Sequence, residues 1–353
     1  MPSFFRFDSR LASGRSSRPE SKFTKLALAL ALLAVASIRV GDATPAGPSD
    51  EEISRFWQAT KARLVSQATN AVVERIPHSE EALPYHKLRL TLTSLDGVKV
   101  RAYLSYPILG EITANAWELD HAAAKLPAIV SAPGYGGFEQ STQLEECQRG
   151  YIILQIFPRS QGPSAELWKI KDREKLSWGI EKPEGYYYQG AYADVIRAVD
   201  YLISRPDVDV ERIGAVGSCQ AGGIMLAVGS LDPRIKAIAA HVPNLIDMRH
   251  AIHVEGSLVN RLKQTPVFRS EHLDTLDYFD ALRLVPNLRA AVLVSAGGKD
   301  KVSPAASIRP VFDRIAGIKC LMYYPELTHT TATGFYEMTW SWMDQHLRRH
   351  TRK

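Results

Sequence analysis

The stretch Arg212-Ile-Gly-Ala-Val-Gly-Ser-Cys-Gln-Ala-Gly-Gly-Ile224 decides how this chain is read. A short apolar run over 213–216 gives way to a sharp turn of small residues, and a helix-period stretch follows over 222–229. A strand that turns abruptly into a helix presents one side chain at the turn, and the positions two before and two after it must be small because the tight backbone leaves no room. Ser218 fails that condition, having Val216 and Gln220 at those places. Cys219 meets it, with Gly217 and Ala221. A thiol at a helix N-terminus beside an imidazole has a lowered pKa and attacks as the thiolate. Cys219 is therefore the expected nucleophile; the alternatives are Ser218 in that role and a packed, unreactive Cys219.

Working outward, short apolar runs recur at 128–130, 151–157, 237–240, 290–294 and 320–324. Helix-period stretches separate them, notably 190–204 and 332–347. Buried strands alternating with helices imply a mostly parallel sheet covered by helices on both faces. Ahead of these, 88–92 and 98–106 read as a hairpin around Leu95-Asp-Gly97, since Asp-Gly is a strong turn signal between β-rich segments.

The order of a nucleophile, an acid and a histidine along the chain is that of an α/β-hydrolase fold. Downstream of the turn, Ala291-Val-Leu-Val-Ser-Ala-Gly-Gly-Lys-Asp300 is an apolar strand ending in a glycine loop with one carboxylate. Leu321-Met-Tyr-Tyr-Pro-Glu-Leu-Thr-His329 is a strand ending in a loop with one histidine. Asp300 thus fits the acid and His329 the base. Glu326 is a poorer orienting partner, lying three residues from His329 on the same loop. An oxyanion hole needs two backbone N–H groups. One is expected from Gln220, next to the nucleophile, and the other from Tyr135 in the glycine loop Ser131-Ala-Pro-Gly-Tyr-Gly-Gly137. His241 ends a strand and reads as a hydrogen-bonded core histidine before it reads as a pocket group. His250, His253 and His272 read as surface or cap residues of 244–285, and the pocket is expected from 138–190 and 244–285.

Composition narrows the rest. With 353 residues, 45% hydrophobic, and 3 Cys, the chain is neither a disordered tail, a disulfide-stapled miniature nor a polytopic membrane protein. Of the formal charge of +5, the first 43 residues hold seven basic against three acidic side chains. The near-neutral body has no basic stripe, so no nucleic-acid partner is expected. Basic residues up to Lys25 followed by the apolar run 26–36 read as a secretory leader, residues 1–43, with Gly41 and Ala43 marking a cleavage site. The run is short for a spanning helix, so export is expected, periplasmic or secreted, with an uncleaved anchor as the alternative. Residues 44–84 read as a Pro/Gly linker and a helix opened by the capping box Ser49/Glu52, whose apolar face holds Ile53, Phe56, Trp57, Leu64 and Val65. The hydrolase domain then runs over 85–353. Three cysteines cannot all pair; Cys320 reads as core packing, Cys147 as paired or free, and no Cys/His spacing points to zinc.

These residues resemble the acetyl xylan esterase and cephalosporin C deacetylase group, carbohydrate esterase family seven. The likeness runs from Phe56-Trp57 to His329 and the last helix. Its most specific segments are Gly134-Tyr-Gly-Gly137, Tyr186-Tyr-Tyr188 leading into Ala193-Asp-Val-Ile-Arg-Ala-Val-Asp200, Arg205-Pro-Asp-Val-Asp209, Glu211-Arg-Ile213 and Asp232-Pro-Arg-Ile-Lys-Ala237. The resemblance implies an α/β-hydrolase fold that removes acetyl groups from carbohydrates or similar small esters, with the family's acid on Asp300, its histidine on His329 and its oxyanion tyrosine on Tyr135. The family's serine falls on Cys219, because Gly-Gly-Ser-Gln-Gly reads here as Gly217-Ser-Cys-Gln-Ala221. A cysteine there is similar to the dienelactone hydrolases of the same fold. Family members often assemble into hexamers, which implies a homo-oligomer.

The expected function is thus carboxylic ester hydrolysis through a Cys-His-Asp triad on a small-molecule or carbohydrate ester, needing no metal or organic cofactor. Alternatives are a dienelactone-type lactone or thioester hydrolase and a catalytically silent binding protein. A prolyl oligopeptidase-like peptidase is disfavoured, since the chain lacks room for a propeller.

Overall fold

Why the apolar runs become one buried sheet is plain from their spacing in the computed structural model, which describes residues 47–76, 84–107 and 125–348. The strands are β1 (Val72–Arg75), β2 (Tyr85–Thr93), β3 (Lys99–Pro107), β4 (Leu126–Ser131), β5 (Ile152–Phe157), β6 (Val208–Ser218), β7 (Ile235–His241), β8 (Ala291–Gly297) and β9 (Lys319–Tyr324). They lie in the order β1-β2-β3-β5-β4-β6-β7-β8-β9. The first four neighbours in that order pair antiparallel, and the remaining pairs from β5 through β9 are parallel. Every residue of β5 and β8 is buried, the signature of strands covered on both faces.

Alternate residues of the central strands supply two cores, as the period of two requires. Ala128, Val130, Ile152, Leu154, Ala215 and Ile238 pack with the helices on one face. Ile129, Ile153, Val216, Ala237 and Ala239 pack on the other, against Trp340, Met343 and Leu347. Among the described residues, the helices of ten residues or more are α1 (Asp50–Val65), α2 (Tyr187–Ser204), α3 (Gln220–Leu231), α4 (Ala305–Arg314) and α5 (Thr333–Leu347). Residues of α1 to α4 join the first core and α5 closes the second. Helix α5 approaches so closely that a Cβ at Gly214 of β6 would stand 2.7 Å from Leu347 Cδ1.

The hairpin of β2 and β3 turns where the Asp-Gly pair stands: Asp96 and Gly97 take φ of 61° and 75°. Helix α1 begins with the capping box, Ser49 Oγ accepting from the Glu52 amide at 3.2 Å and Glu52 Oε2 from the Ser49 amide at 2.8 Å. Its face of Ile53, Phe56, Trp57, Thr60 and Leu64 is buried against the body. The Trp57 indole stacks on Tyr192 at 5.7 Å and donates to the Tyr278 carbonyl at 2.7 Å. Val65, expected on that face, is 77% exposed instead; it follows Leu64 by about 100° of helical rotation and so leaves the stripe. Strand β1 and helix α4 had no expectation attached to them. The leader over 1–43 lies outside the described residues.

Candidate active site

The sharp turn between β6 and α3 carries Cys219 at φ 56° and ψ −122°. A non-glycine residue there costs about 1–3 kcal/mol, so its surroundings must hold it. The Cys219 amide donates to the His241 carbonyl at 2.9 Å, and its carbonyl accepts from the amides of Asn244 at 2.9 Å and Gly223 at 3.3 Å. Small residues are obligatory around it. A Cβ at Gly217 would stand 2.5 Å from the Ala221 carbonyl carbon, and one at Gly223 would stand 1.6 Å from the Asn244 oxygen. Ser218 is the last residue of β6, paired in register with His241, and does not occupy the turn.

Asp300 follows β8 and is buried. Its Oδ1 accepts from the amides of Val302 at 2.8 Å and Ser303 at 2.9 Å, while its Oδ2 lies 2.8 Å from His329 Nδ1. The Cys219 side chain lies near enough to His329 to act on the charge of its ring. Burial pulls the imidazole's pKa down, but the hydrogen bonds and negative charge of Asp300 and Cys219 outweigh it and push the value up to about 10. The three residues expected to act together thus stand together, with the imidazolium favoured between an acid and a sulfur.

The glycine loop runs beside Cys219, since a Cβ at Gly134 would stand 3.8 Å from Cys219 Cβ. Gln161 Nε2 donates to the carbonyls of Gly134 and Tyr135, each at 3.2 Å, and the Gly137 amide donates to the Gly134 carbonyl at 3.0 Å, which together hold the loop's shape. The Tyr135 hydroxyl donates to the Asp172 carbonyl, and burial raises its pKa to about 12. Gln220 begins α3, and its side-chain Oε1 accepts from the Tyr188 hydroxyl at 2.9 Å. Gln161 went unnoticed in the sequence because nothing local marks it, and Tyr188 was noted only within its aromatic run; both reach the site from segments distant along the chain. The Tyr186 to Tyr188 cluster is buried, as packing at a helix start requires.

Several other residues have quieter places. His241 is buried and satisfied: Nδ1 lies 2.6 Å from Ser295 Oγ and Nε2 lies 3.0 Å from the Thr330 carbonyl, and burial lowers its pKa. The Ser295 hydroxyl also accepts from the Val242 amide, and the Ala332 amide donates to Nε2 at 3.3 Å. Glu326 is exposed and paired with Lys299, not with His329. His250 and His253 are exposed, but His272 is buried, accepting from the Arg269 amide at 3.1 Å. All three cysteines are free; Cys147 is buried, which pushes its thiol up to about 12, and Cys320 is only half-buried. A cavity of about 860 Å³ opens beside Tyr135, walled by parts of 172–181 and 261–267. Among the described residues no group of three or more His, Cys, Asp or Glu converges as metal ligands.

A strand-to-helix elbow followed by acid and histidine, on this mostly parallel sheet, is the architecture of an α/β-hydrolase. The chain belongs to the acetyl xylan esterase family, whose profile matches residues 39–346, a family of carboxylic ester hydrolases. It is similar to an acetyl esterase of Xylanibacter ruminicola, 27% identical over 234 residues, a match spanning 62% of this chain and 53% of that protein. The chain therefore spans about half the length of that curated relative. Among solved structures it is similar to the acetyl xylan esterase of a Paenibacillus species, with a TM-score of 0.74 and 25% identity over 87% of this chain and 98% of that one. Acetyl xylan esterase 1 of a Thermoanaerobacterium species shares the fold, with a TM-score of 0.73 at 18% identity over 85% of this chain and 95% of that one.

Proposed function

We propose that this protein hydrolyses small carboxylic esters, acetylated carbohydrates first among them, with Cys219 as nucleophile. The observation that carries the reading is the Cys219 side chain on its φ 56° turn, joined through His329 to Asp300 at 2.8 Å. The thiolate attacks the ester carbonyl, and the oxyanion is held by the N–H groups of Tyr135 and Gln220. The His329 imidazolium gives its Nε2 proton to the departing alkoxide, leaving an acyl thioester on Cys219. Neutral His329 then takes a proton from water, hydroxide attacks the thioester, and the carboxylic acid leaves as the thiolate and imidazolium re-form. Asp300 keeps the ring in the orientation that serves both steps. Nothing in this sequence of steps calls for a metal or an organic cofactor.

In this reading the leader 1–43 exports the protein, 44–84 is a linker and docking helix, and 85–353 carries the chemistry. N-terminal sequencing of the mature protein tests the first point, and sedimentation tests assembly into homo-oligomers. The activity itself is tested by hydrolysis of a small chromogenic acetate by the parent, Cys219→Ala, Cys219→Ser and Ser218→Ala. Loss in Cys219→Ala with retention in Ser218→Ala is the expected result. An inactive parent that gains activity as Cys219→Ser would refute the cysteine mechanism, and faster turnover of lactones than of acetates would move the substrate to the dienelactone type.

A further inference from the structure

Cys219, Asp300 and His329 follow three different strands, β6, β8 and β9, so their loops must be held in step. Strand β7 lies between β6 and β8 in the sheet, and its last residue, His241, reaches the segments that carry all three. On the β6 side its backbone carbonyl accepts from the Cys219 amide at 2.9 Å. On the β8 side its ring Nδ1 lies 2.6 Å from Oγ of Ser295, which belongs to the strand that delivers Asp300. Past β8, its Nε2 lies 3.0 Å from the Thr330 carbonyl, and the Ala332 amide donates to it at 3.3 Å.

The ring contacts bear on His329 directly. Before that residue its loop is held by backbone bonds, the amides of Gly298 and Lys299 donating to the carbonyls of Tyr324 and Leu327 at 2.8 and 3.0 Å. Beyond it the hold passes to the His241 ring, which meets the loop one and three residues further on. The ring has little room to shift: it is buried, it stacks on Phe335 of α5 at 4.8 Å, and its Ser295 partner is itself fixed by the Val242 amide at 2.9 Å. Either neutral tautomer serves. With the proton on Nε2 the ring donates to Thr330 and accepts from the Ser295 hydroxyl; with the proton on Nδ1 it donates to Ser295 and accepts from Ala332. Burial favours the neutral ring, and the charge of the neighbouring His329 pushes the same way.

We infer that His241 is a positioning residue: its ring sets where His329 stands relative to Cys219, acting through the loop at 330–332 without touching substrate. The inference rests on the ester-hydrolase reading and names the group that keeps the parts of that site in register. The test uses the full chain as parent, His241→Asn, His241→Gln and Ser295→Ala. Asparagine reproduces the reach of Nδ1 and glutamine that of Nε2, so the pair separates the Ser295 contact from the Thr330 contact. In His241→Asn, kcat for a small chromogenic acetate is expected to fall about 10²-fold, as a misplacement of about 1 Å can cost, with KM held within about twofold. His241→Gln should recover most of the loss. Alkylation of Cys219 by iodoacetamide near pH 7, followed by peptide mapping, needs the imidazolium beside the sulfur but no acyl transfer; it should slow about tenfold in His241→Asn and recover in His241→Gln. Folded His241→Asn with the parent's kcat and alkylation rate overturns the inference, as does an equal loss in both replacements, the mark of a residue that only packs. Should His241→Asn fail to fold, Ser295→Ala decides, since it keeps the ring but removes its Nδ1 partner: a fall of about tenfold in kcat at constant KM supports the positioning, and an unchanged kcat overturns it. A parent that turns over no ester but shows the alkylation pattern refutes the hydrolase reading alone; ester turnover indifferent to all three variants refutes the positioning alone.

Discussion

Replacing Asp300 with Asn removes one of the two negative groups that hold the proton on His329 while keeping an oxygen for the amides of Val302 and Ser303. In the parent, the imidazole stays protonated up to about pH 10, well above its ordinary 6.5, because Asp300 and Cys219 outweigh the effect of burial. A group raised in this way keeps its proton below the raised value and loses it as pH rises through that value, so the alkaline limb of kcat/KM is expected near pH 10. An opposite charge at contact distance moves a pKa by about 1–3 units. The limb should therefore retreat by about that much in Asp300→Asn, and kcat/KM on the plateau should fall by about 10³–10⁴-fold as the ring loses its orientation. The assay is acetate hydrolysis from about pH 5 to pH 11 with spontaneous hydrolysis subtracted. A parent whose alkaline limb lies near pH 7, or an Asp300→Asn limb that does not move, would show that Asp300 does not set the proton on His329.

Other outcomes follow from the packing. Gly223→Ala puts a methyl 1.6 Å from the Asn244 oxygen, so the elbow must shift; a loss of about 1–3 kcal/mol in urea unfolding with a steep fall in kcat is expected. Trp57→Ala removes the indole stacked on Tyr192 and should cost about 3–5 kcal/mol of stability, with KM for acetates unchanged in the folded fraction. The lowered pKa of buried His241 means that the unfolded chain takes up a proton which the native one refuses. Its contribution to stability is thus complete above the ordinary histidine range and is lost as pH falls through 6.5, so His241→Gln should flatten the acid slope of the urea midpoint. Brief treatment with iodoacetamide should label Cys219 and leave the buried Cys147 intact, as peptide mapping will report.

The elements that were legible beforehand are those whose residues speak locally. The hairpin was carried by Asp96-Gly97, the cap of α1 by Ser49 and Glu52, and the turn at Cys219 by small residues on both sides, each a short-range steric or hydrogen-bonding requirement. Asp300 and His329 could be found because they are single chemical groups on loops that close apolar runs. Strand β1 escaped notice because its residues Val72 to Arg75 have mostly exposed side chains and no alternation to mark them. Helix α4 contains Pro310, which speaks against a helix in isolation. Gln161, Tyr188 and Asn244 serve the site only through contacts across many residues, and no spacing rule reaches that far. Cys147, left open between paired and free by its polar neighbours, is free and turned inward between the exposed Glu145, Gln148 and Arg149.

The strain at the elbow has a consequence for how such a site can change over time. The uncommon backbone angles of Cys219 are imposed by what lies on either side, by the room that Gly217 and Gly223 leave and by the grip of His241 and Asn244 on its peptide groups. The side chain that stands there takes no part in creating them. The scaffold is thus a mount with an exchangeable tip: sulfur and oxygen can be traded at this one atom with little demand on folding, and the rest of the chain has no need to register which of them it carries.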